Sequence, residues 1–278
     1  STMTVRQHLR AARDLMARLP AGRLEAEILL AYCLEAPRSL LYASPELEVP
    51  NQRSERYQQL IARRLSGEPI AYITGWREFW SLPLRVTPDV LIPRPETERL
   101  VELALERIPS DRPARVADLG TGSGAVALAI ASERRECEVH GTDASEAAIS
   151  VARENAERLD ISNVRFHAGS WCEPLQGLFD LVVSNPPYVA KEDPHLDQGD
   201  CRFEPRSALT PGHDALAAIR SVSREAATVL MAGGWLLLEH GPDQGPATQG
   251  ILEDSSFVDV FTAVDLLGHP RVTGARKV

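Results

Sequence analysis

The sequence predicts an α/β fold: a parallel sheet with helices on both faces, preceded by a small helical bundle and a β-hairpin linker. Three observations carry this expectation. Apolar residues recur at three- and four-residue steps from Val5 to about Leu65, the period of a helix face. Short aromatic and β-branched pieces fill residues 70–90. From Arg115 onward, short apolar runs alternate with helical patterns, which implies right-handed crossovers and parallel strands. The expected boundaries are 1–69, 70–90 and 91–278.

In the first part, Val5, Leu9, Ala12, Leu15, Met16 and Leu19 share a helix face that ends at Pro20-Ala21-Gly22. Leu24 to Leu34 forms a second helix, stopped before Pro37, and Arg38 to Ala43 a short third. A longer fourth, Asn51 to Leu65, turns Tyr57, Leu60, Ile61 and Leu65 inward. His8 and the Arg63-Arg64 pair read as solvated surface, so this part is expected to hold or recognise a partner and to carry no chemistry. Gly67-Glu68-Pro69 turns the chain into a hairpin with strands Trp76 to Trp80 and Leu82 to Val86.

Leu91 to Thr97 contains two prolines and reads as a stiff loop that opens a helix through Ile108. Strands are then expected at Arg115 to Leu119, Cys137 to Thr142, Asn163 to Ala168 and Phe179 to Ser184, with a buried helix at Ala125 to Ala131 and another at Ser145 to Leu159. Val189 to His213 is a long polar loop, the kind that serves as a lid. Asp214 to Met231 is a helix, and Gly233-Gly234 precedes a strand at Trp235 to Glu239. A helix from Gln244 to Leu252 and a terminal hairpin, Val258 to Val264 with Arg271 to Arg276, complete the sheet.

Composition narrows the function. Hydrophobic content of 44% and charged content of 25% are ordinary for a globular protein, and the formal net charge of −9 repels phosphate backbones at long range. Direct nucleic-acid binding is therefore not expected. The four cysteines, Cys33, Cys137, Cys172 and Cys201, form no Cys-x-x-Cys pair, which points to reduced thiols and no zinc site. No apolar run is longer than that of Ala125 to Ala131, far short of a membrane span of about 20 residues, and no charged-then-apolar leader opens the chain. A cytoplasmic monomer without metal is the expectation.

In an open parallel sheet, ligands bind beyond the carboxyl ends of the strands. That edge collects Gly120-Thr121-Gly122-Ser123-Gly124, Asp143, Ser170-Trp171 and Asn185 from distant parts of the chain. The glycines let backbone approach a ligand at a helix N-terminus, Asp143 is placed to accept the hydroxyls of a ribose, and Trp171 to stack on a purine. Gly120-x-Gly122-x-x-Ala125 alone also satisfies a dinucleotide fingerprint. Asn185-Pro186-Pro187-Tyr188 decides between the two. Its prolines make a stiff loop rich in carbonyl acceptors, and the Asn185 oxygen with a proline carbonyl can grip a planar NH2 against which Tyr188 packs. Such a grip suits an enzyme that moves a methyl group from S-adenosylmethionine to nitrogen. Asp118 either holds the amino group of that cofactor or caps the turn.

Several blocks resemble, in order, the HemK/PrmC family of glutamine N5-methyltransferases that modify peptide chain release factors. They are Ala26 to Leu30, Arg64 to Ile70, Arg77 to Trp80, Leu91 to Thr97, Asp118 to Gly124, Ser184 to Tyr188, Arg202 to Pro205 and Leu238 to Gly241. The resemblance implies a class I S-adenosylmethionine-dependent methyltransferase domain with a seven-stranded, mostly parallel, Rossmann-like sheet. It implies cofactor contacts at Gly120, Thr121, Gly122, Ser123, Gly124, Asp143, Trp171 and Asn185, with S-adenosyl-L-homocysteine as product. Substrate contacts fall on Asn185, Pro186, Pro187 and Tyr188, of which Asn185, Pro186 and Tyr188 carry the catalysis. Phe79, Arg94, Glu96 and Glu204 are expected at the rim. The implied substrate is the glutamine of Gly-Gly-Gln in class-1 release factors; a ribosomal-protein glutamine and an exocyclic base amine are the alternatives. Ser170 departs from the family, where an Asp often precedes the Trp.

Overall fold

A computed structural model describes all 278 residues. The chain divides into two compact units, Ser1–Gly75 and Trp76–Val278.

The first unit consists of α1 (Val5–Leu15), α2 (Gly22–Leu34), α3 (Ser39–Ala43), α4 (Asn51–Leu65) and α5 (Ile70–Thr74). Thr4 caps α1 through a reciprocal pair with Gln7, satisfying two N–H groups that the first turn leaves open. Met16, Leu29, Leu30, Tyr57 and Leu60 form the core, and the Tyr57 hydroxyl donates to the Ala26 carbonyl at 2.8 Å. Of the residues read as solvated surface, His8 is buried and Arg64 is largely covered. His8 lies under Tyr57 and shares a hydrogen bond of 2.7 Å with Ser54 Oγ, while Arg64 forms an enclosed ion pair with Glu25 at 2.7 Å. Helical spacing alone does not separate a polar residue paired with a partner across the bundle from one facing water. Helix α5 replaces what reads as the start of the hairpin: Pro69 precedes its first turn and Gly75, at φ +82°, closes it. A five-residue helix is too short to display a period.

The second unit opens with the hairpin β1 (Trp76–Phe79) and β2 (Leu82–Arg85). It continues through α6 (Glu98–Arg107), β3 (Arg115–Leu119), α7 (Ala125–Glu133), β4 (Glu138–Asp143), α8 (Glu146–Arg158), β5 (Val164–Ala168) and β6 (Phe179–Ser184). The short helix α9 (Arg206–Leu209) precedes α10 (Ala217–Val229), β7 (Leu230–Glu239), α11 (Gly245–Asp254), β8 (Phe257–Val264) and β9 (Pro270–Lys277). The seven-stranded sheet runs β5-β4-β3-β6-β7-β9-β8, parallel except for β9, which is antiparallel to both of its neighbours. Winding runs outward from β3 in one direction and from β6 in the other, so the reversal falls between β3 and β6. Alternation along each strand fills both layers. Val116, Leu181 and Val183 pack with α6, α7 and α8, whereas Ala117, Leu119 and Val182 pack with α10 and α11. No helix is long and apolar enough to cross a membrane.

Strand β7 starts at Leu230, ahead of Gly233-Gly234. Its register with β6 jumps from Phe179↔Leu230 to Leu181↔Trp235, so the glycine pair forms a bulge within the strand and not the turn before it. The expected long loop at Val189 to His213 contains two 3-10 turns, Pro194–Asp197 and Gly199–Arg202, besides α9. The hairpin packs onto α8: Phe79 and Leu84 enter the sheet core, and the buried Asn155 accepts the Arg85 N–H at 2.7 Å and donates to the Arg85 and Ser123 carbonyls at 3.0 and 2.9 Å. Phe79, expected at a pocket rim, is therefore a core residue.

Replacing Asn155 with Ala leaves the buried Ser123 carbonyl and the part-buried Arg85 N–H and carbonyl without this partner, at about 1–3 kcal/mol for a buried group and less for a part-buried one. Chemical denaturation of Asn155→Ala is expected to show a stability loss of about 3 kcal/mol.

Candidate active site

Strand β3 delivers the chain into Gly120–Gly124, where Gly120, Gly122 and Gly124 take φ of +73°, +57° and +87°. Only glycine adopts such a sequence of left-handed residues without strain. The Thr142 carbonyl at the end of β4 accepts both the Gly120 and Thr121 N–H groups, at 2.9 and 2.8 Å, which pins the turn to the next strand. Asp143 follows. Its carboxylate accepts the Gly122 N–H at 2.9 Å and the Ser145 N–H at 3.0 Å, so two backbone donors set its orientation. Trp171, at φ +42°, accepts a hydrogen bond from Thr142 Oγ1 on its carbonyl at 2.6 Å. Its ring lies so close over Gly120 that a Cβ there would meet Cζ3 at 3.2 Å.

Strand β6 is bound to β3 with Leu119 opposite Ser184, and the Ser184 hydroxyl donates to the Leu119 carbonyl at 2.7 Å. Gly120 and Asn185 therefore leave the sheet side by side, one strand spacing of about 4.8 Å apart. A cavity of about 290 Å³ opens here. It is lined by Gly120, Thr121, Gly122 and Ser123 of the turn, by Asp118, Asp143 and Trp171, and by Asn185 and Pro187. The Asn185 carboxamide makes no hydrogen bond within the protein. Gly124, Pro186 and Tyr188 do not line the cavity: Gly124 caps α7, Pro186 is buried, and Tyr188 turns behind the wall.

The far side of the cavity was not legible as a unit in the sequence. Pro93, Arg94 and Thr97 form one wall, and Pro205, Ser207 and Ala208 another. They are joined by an ion pair between residues 110 apart. Arg94 holds Glu204 through both terminal nitrogens, at 2.8 and 2.5 Å, and Glu204 also accepts the Ile92 N–H at 2.9 Å. Glu204 is buried behind Arg94, and Glu96 lies outside the lining. The two prolines around Arg94 and the Glu204-Pro205 dipeptide were the available signals, but neither names its partner.

Two acids are buried at this edge. Asp118 accepts the Thr121 hydroxyl at 2.7 Å, yet burial pushes its carboxyl up to about 7. Glu239, at the end of β7, accepts the Tyr188 hydroxyl at 3.3 Å, and burial pushes it up to about 7 against the nearby Arg271. The Thr97 hydroxyl faces Glu239 without sound hydrogen-bond geometry, so Thr97 Oγ1 and Glu239 Oε1 are both buried without a partner. The Tyr188 carbonyl accepts from Gln244 Nε2 at 3.0 Å, and Gln244 in turn accepts the Gly241 N–H. The loop after Asn185 is thus anchored from behind at both ends of Tyr188. Around the cavity Asp89, Asp118 and Asp143 face one arginine that Glu204 already neutralises, an electrostatic environment that favours a cation.

Comparison with known proteins places both units. A methyltransferase domain model matches residues 110–257, and the PrmC N-terminal domain model matches residues 7–75. The release factor glutamine methyltransferase of Vibrio cholerae is 49% identical over 98% of this chain and 96% of its own. Those of Coxiella burnetii and Escherichia coli are 47% and 44% identical, covering 92% and 97% of this chain and 92% and 98% of their own. Among solved structures, a methyltransferase from Pyrococcus furiosus shares the fold at a TM-score of 0.53 and 21% identity, over 78% of this chain and 96% of that one. A 16S rRNA methyltransferase from T. thermophilus, in complex with AdoMet and guanosine, does so at 0.53 and 22%, over 73% of this chain and 50% of that one.

Both buried acids have folded-state pKa values above their ordinary range, so each favours the folded state fully below about pH 4 and loses that contribution as pH rises through about 7. Denaturation midpoints measured between about pH 5 and 8 are expected to fall with pH, and Glu239→Gln is expected to flatten the fall.

Proposed function

The chain belongs to the release factor glutamine methyltransferase family, and we propose that Asn185, at the tip of β6, is the residue that presents its substrate amide to the methyl donor. The enzyme transfers a methyl group from S-adenosylmethionine to the side-chain nitrogen of a glutamine in peptide chain release factors. Within this reading the target is the glutamine of Gly-Gly-Gln in class-1 factors, the enzyme works as a cytoplasmic monomer, and it binds no nucleic acid directly. The observation that carries the reading is the Leu119↔Ser184 register, which sets an unbonded carboxamide beside the glycine turn on the wall of one cavity.

The residues present fit the cofactor. A Cβ added at Gly122 would meet nothing within 4 Å, so the turn faces open cavity there. In this reading Gly120, Thr121, Gly122 and Ser123 cradle the methionine part, Asp143 takes the ribose hydroxyls on the faces its two backbone donors leave free, and Trp171 flanks the purine. Asp118, poised near neutrality by burial, becomes a carboxylate when a cation adjoins it. When bound, S-adenosylmethionine supplies an electrophilic methyl group on a sulfonium.

The remaining chemistry belongs to the chain. An amide nitrogen is a weak nucleophile because its lone pair is delocalised into the carbonyl. In this reading Asn185 Oδ1 and the Pro186 carbonyl, which is bonded to the cavity-lining Pro187, accept its two N–H groups, hold it next to the glycine turn and stabilise the positive charge that develops on nitrogen until one of those two protons is released to solvent. Pro186 and Pro187 keep these acceptors in place because a proline ring leaves φ no freedom. Glu239 and Gln244, by holding the two ends of Tyr188, keep the loop from sagging into the cavity. The Arg94–Glu204 pair ties two walls of the same space together.

Incubation with labelled S-adenosylmethionine and purified release factor, ribosomal protein and RNA in parallel tests the substrate. Mass spectrometry is expected to place one methyl on one glutamine of the release factor; label on ribosomal protein or RNA alone would overturn the assignment. Asn185→Ala is expected to lose about 3 kcal/mol of transition-state stabilisation, roughly 100-fold in kcat/KM, with cofactor affinity retained.

A further inference from the structure

We propose that Leu266 and Leu267, at the tip of the β8–β9 hairpin, form an apolar docking point for the release factor outside the catalytic pocket. The inference rests on the glutamine-methylating reading above and adds to it where the protein substrate is held.

The two leucines are fully exposed, at 102% and 82%, and Val264 beside them is 48% exposed. Single exposed apolar residues are normal on any surface, but adjacent leucines with no cover expose an apolar patch that water penalises. Nor is the tip a loose end. Asp265 Oδ1 accepts the Leu267 and His269 N–H groups at 2.9 and 3.0 Å, and the Asp265 N–H donates to the His269 carbonyl at 2.9 Å. The Gly268 N–H returns to the Asp265 carbonyl at 3.0 Å, and Asp265 Oδ2 holds Arg271 at 3.1 Å. The backbone under both leucines is thus tied down before any partner arrives, which lowers the entropic cost of docking there.

Its position selects the partner. The tip projects past the carboxyl edge of the sheet, the edge that carries Asn185: Ser184 pairs with Leu238, Leu238 with Thr273, and the hairpin continues beyond Val264↔Pro270. Strands β6, β7 and β9 are consecutive, so β9 lies about 10 Å from β6. Helix α6 makes the same link, because Arg99 donates to the Val264 carbonyl at 3.0 Å and Thr97, two residues earlier, lines the cavity. A protein delivering a glutamine into that cavity must cover its mouth, and a typical footprint of about 800 Å² per partner is a disc about 16 Å in radius. The leucine tip rises from the same edge as that mouth, two strands away from Asn185. A free amino acid or the cofactor would not extend so far, whereas a folded substrate with an apolar patch near its glutamine loop would.

The test compares the unaltered enzyme with Leu266→Ser/Leu267→Ser on intact release factor and on a Gly-Gly-Gln tripeptide amide. The tripeptide spans only about 10 Å and cannot reach both sites. The double variant is expected to raise KM for the release factor about tenfold or more, to leave kcat for it and the rate on the tripeptide unchanged, and to regain a low KM as Leu266→Met/Leu267→Met. An unchanged KM for the release factor overturns the inference, and so does an equal loss on the tripeptide. A dimeric unaltered enzyme that becomes monomeric on substitution overturns it too, because a second copy would then be the occupant. If the unaltered enzyme methylates neither substrate, the glutamine reading itself fails and the docking point falls with it; methylation with equal KM values sinks the docking point alone.

Discussion

The hydrogen bond from the Ser184 hydroxyl to the Leu119 carbonyl marks the constraint on which the site depends: β3 and β6 are held in a register that ends both strands at the same level. Everything chemically useful follows from what leaves the sheet at that level. On β3 it is a turn whose three left-handed glycines admit a ligand close to backbone, and on β6 it is a carboxamide carried by two prolines. A slip of one residue would send Asn185 to the opposite face of the sheet and separate the two halves of the proposed site. The register is protected by burial, since every residue of β6 from Phe179 to Ser184 is enclosed on both faces.

Around this pair the enzyme builds a wall from long-range polar contacts. The Arg94–Glu204 pair joins two segments that have no other reason to meet, and Glu204 is so enclosed that the pair is shielded from the screening that weakens surface ion pairs. Behind the loop, Glu239 and Gln244 hold Tyr188 from its hydroxyl and its carbonyl. The positions that are costly to bury, Asp118 and Glu239, both sit within reach of the cavity or its supporting residues, where perturbed acids concentrate in enzymes.

The sequence reveals most of this architecture where local chemistry is decisive. Strand β6 and its Asn-Pro-Pro exit were legible because an apolar run followed by two prolines allows few other conformations, and the strand–glycine–helix order around Gly120–Gly124 was legible for the same reason. What stayed hidden was whatever depends on a distant partner. Arg64 and His8 look like surface until Glu25 and Ser54 are placed beside them. Asn155, an unremarkable polar residue in a helix, holds the hairpin and the glycine turn together. Tyr188 reads as a ring that packs against the substrate, but it lies behind the cavity wall with its hydroxyl on Glu239. The wall at Pro205, Ser207 and Ala208 hides best, because a four-residue helix leaves no periodic pattern.

In the proposed mechanism the carboxamide of the substrate glutamine lies between Asn185 and the glycine turn. A crystal structure of the enzyme with S-adenosyl-L-homocysteine and a glutamine-bearing release factor tests it directly. The substrate N–H groups are expected on Asn185 Oδ1 and the Pro186 carbonyl, with the nitrogen facing the cofactor sulfur over the glycine turn. A glutamine bound elsewhere, or a cofactor lodged away from the glycine turn, would contradict it.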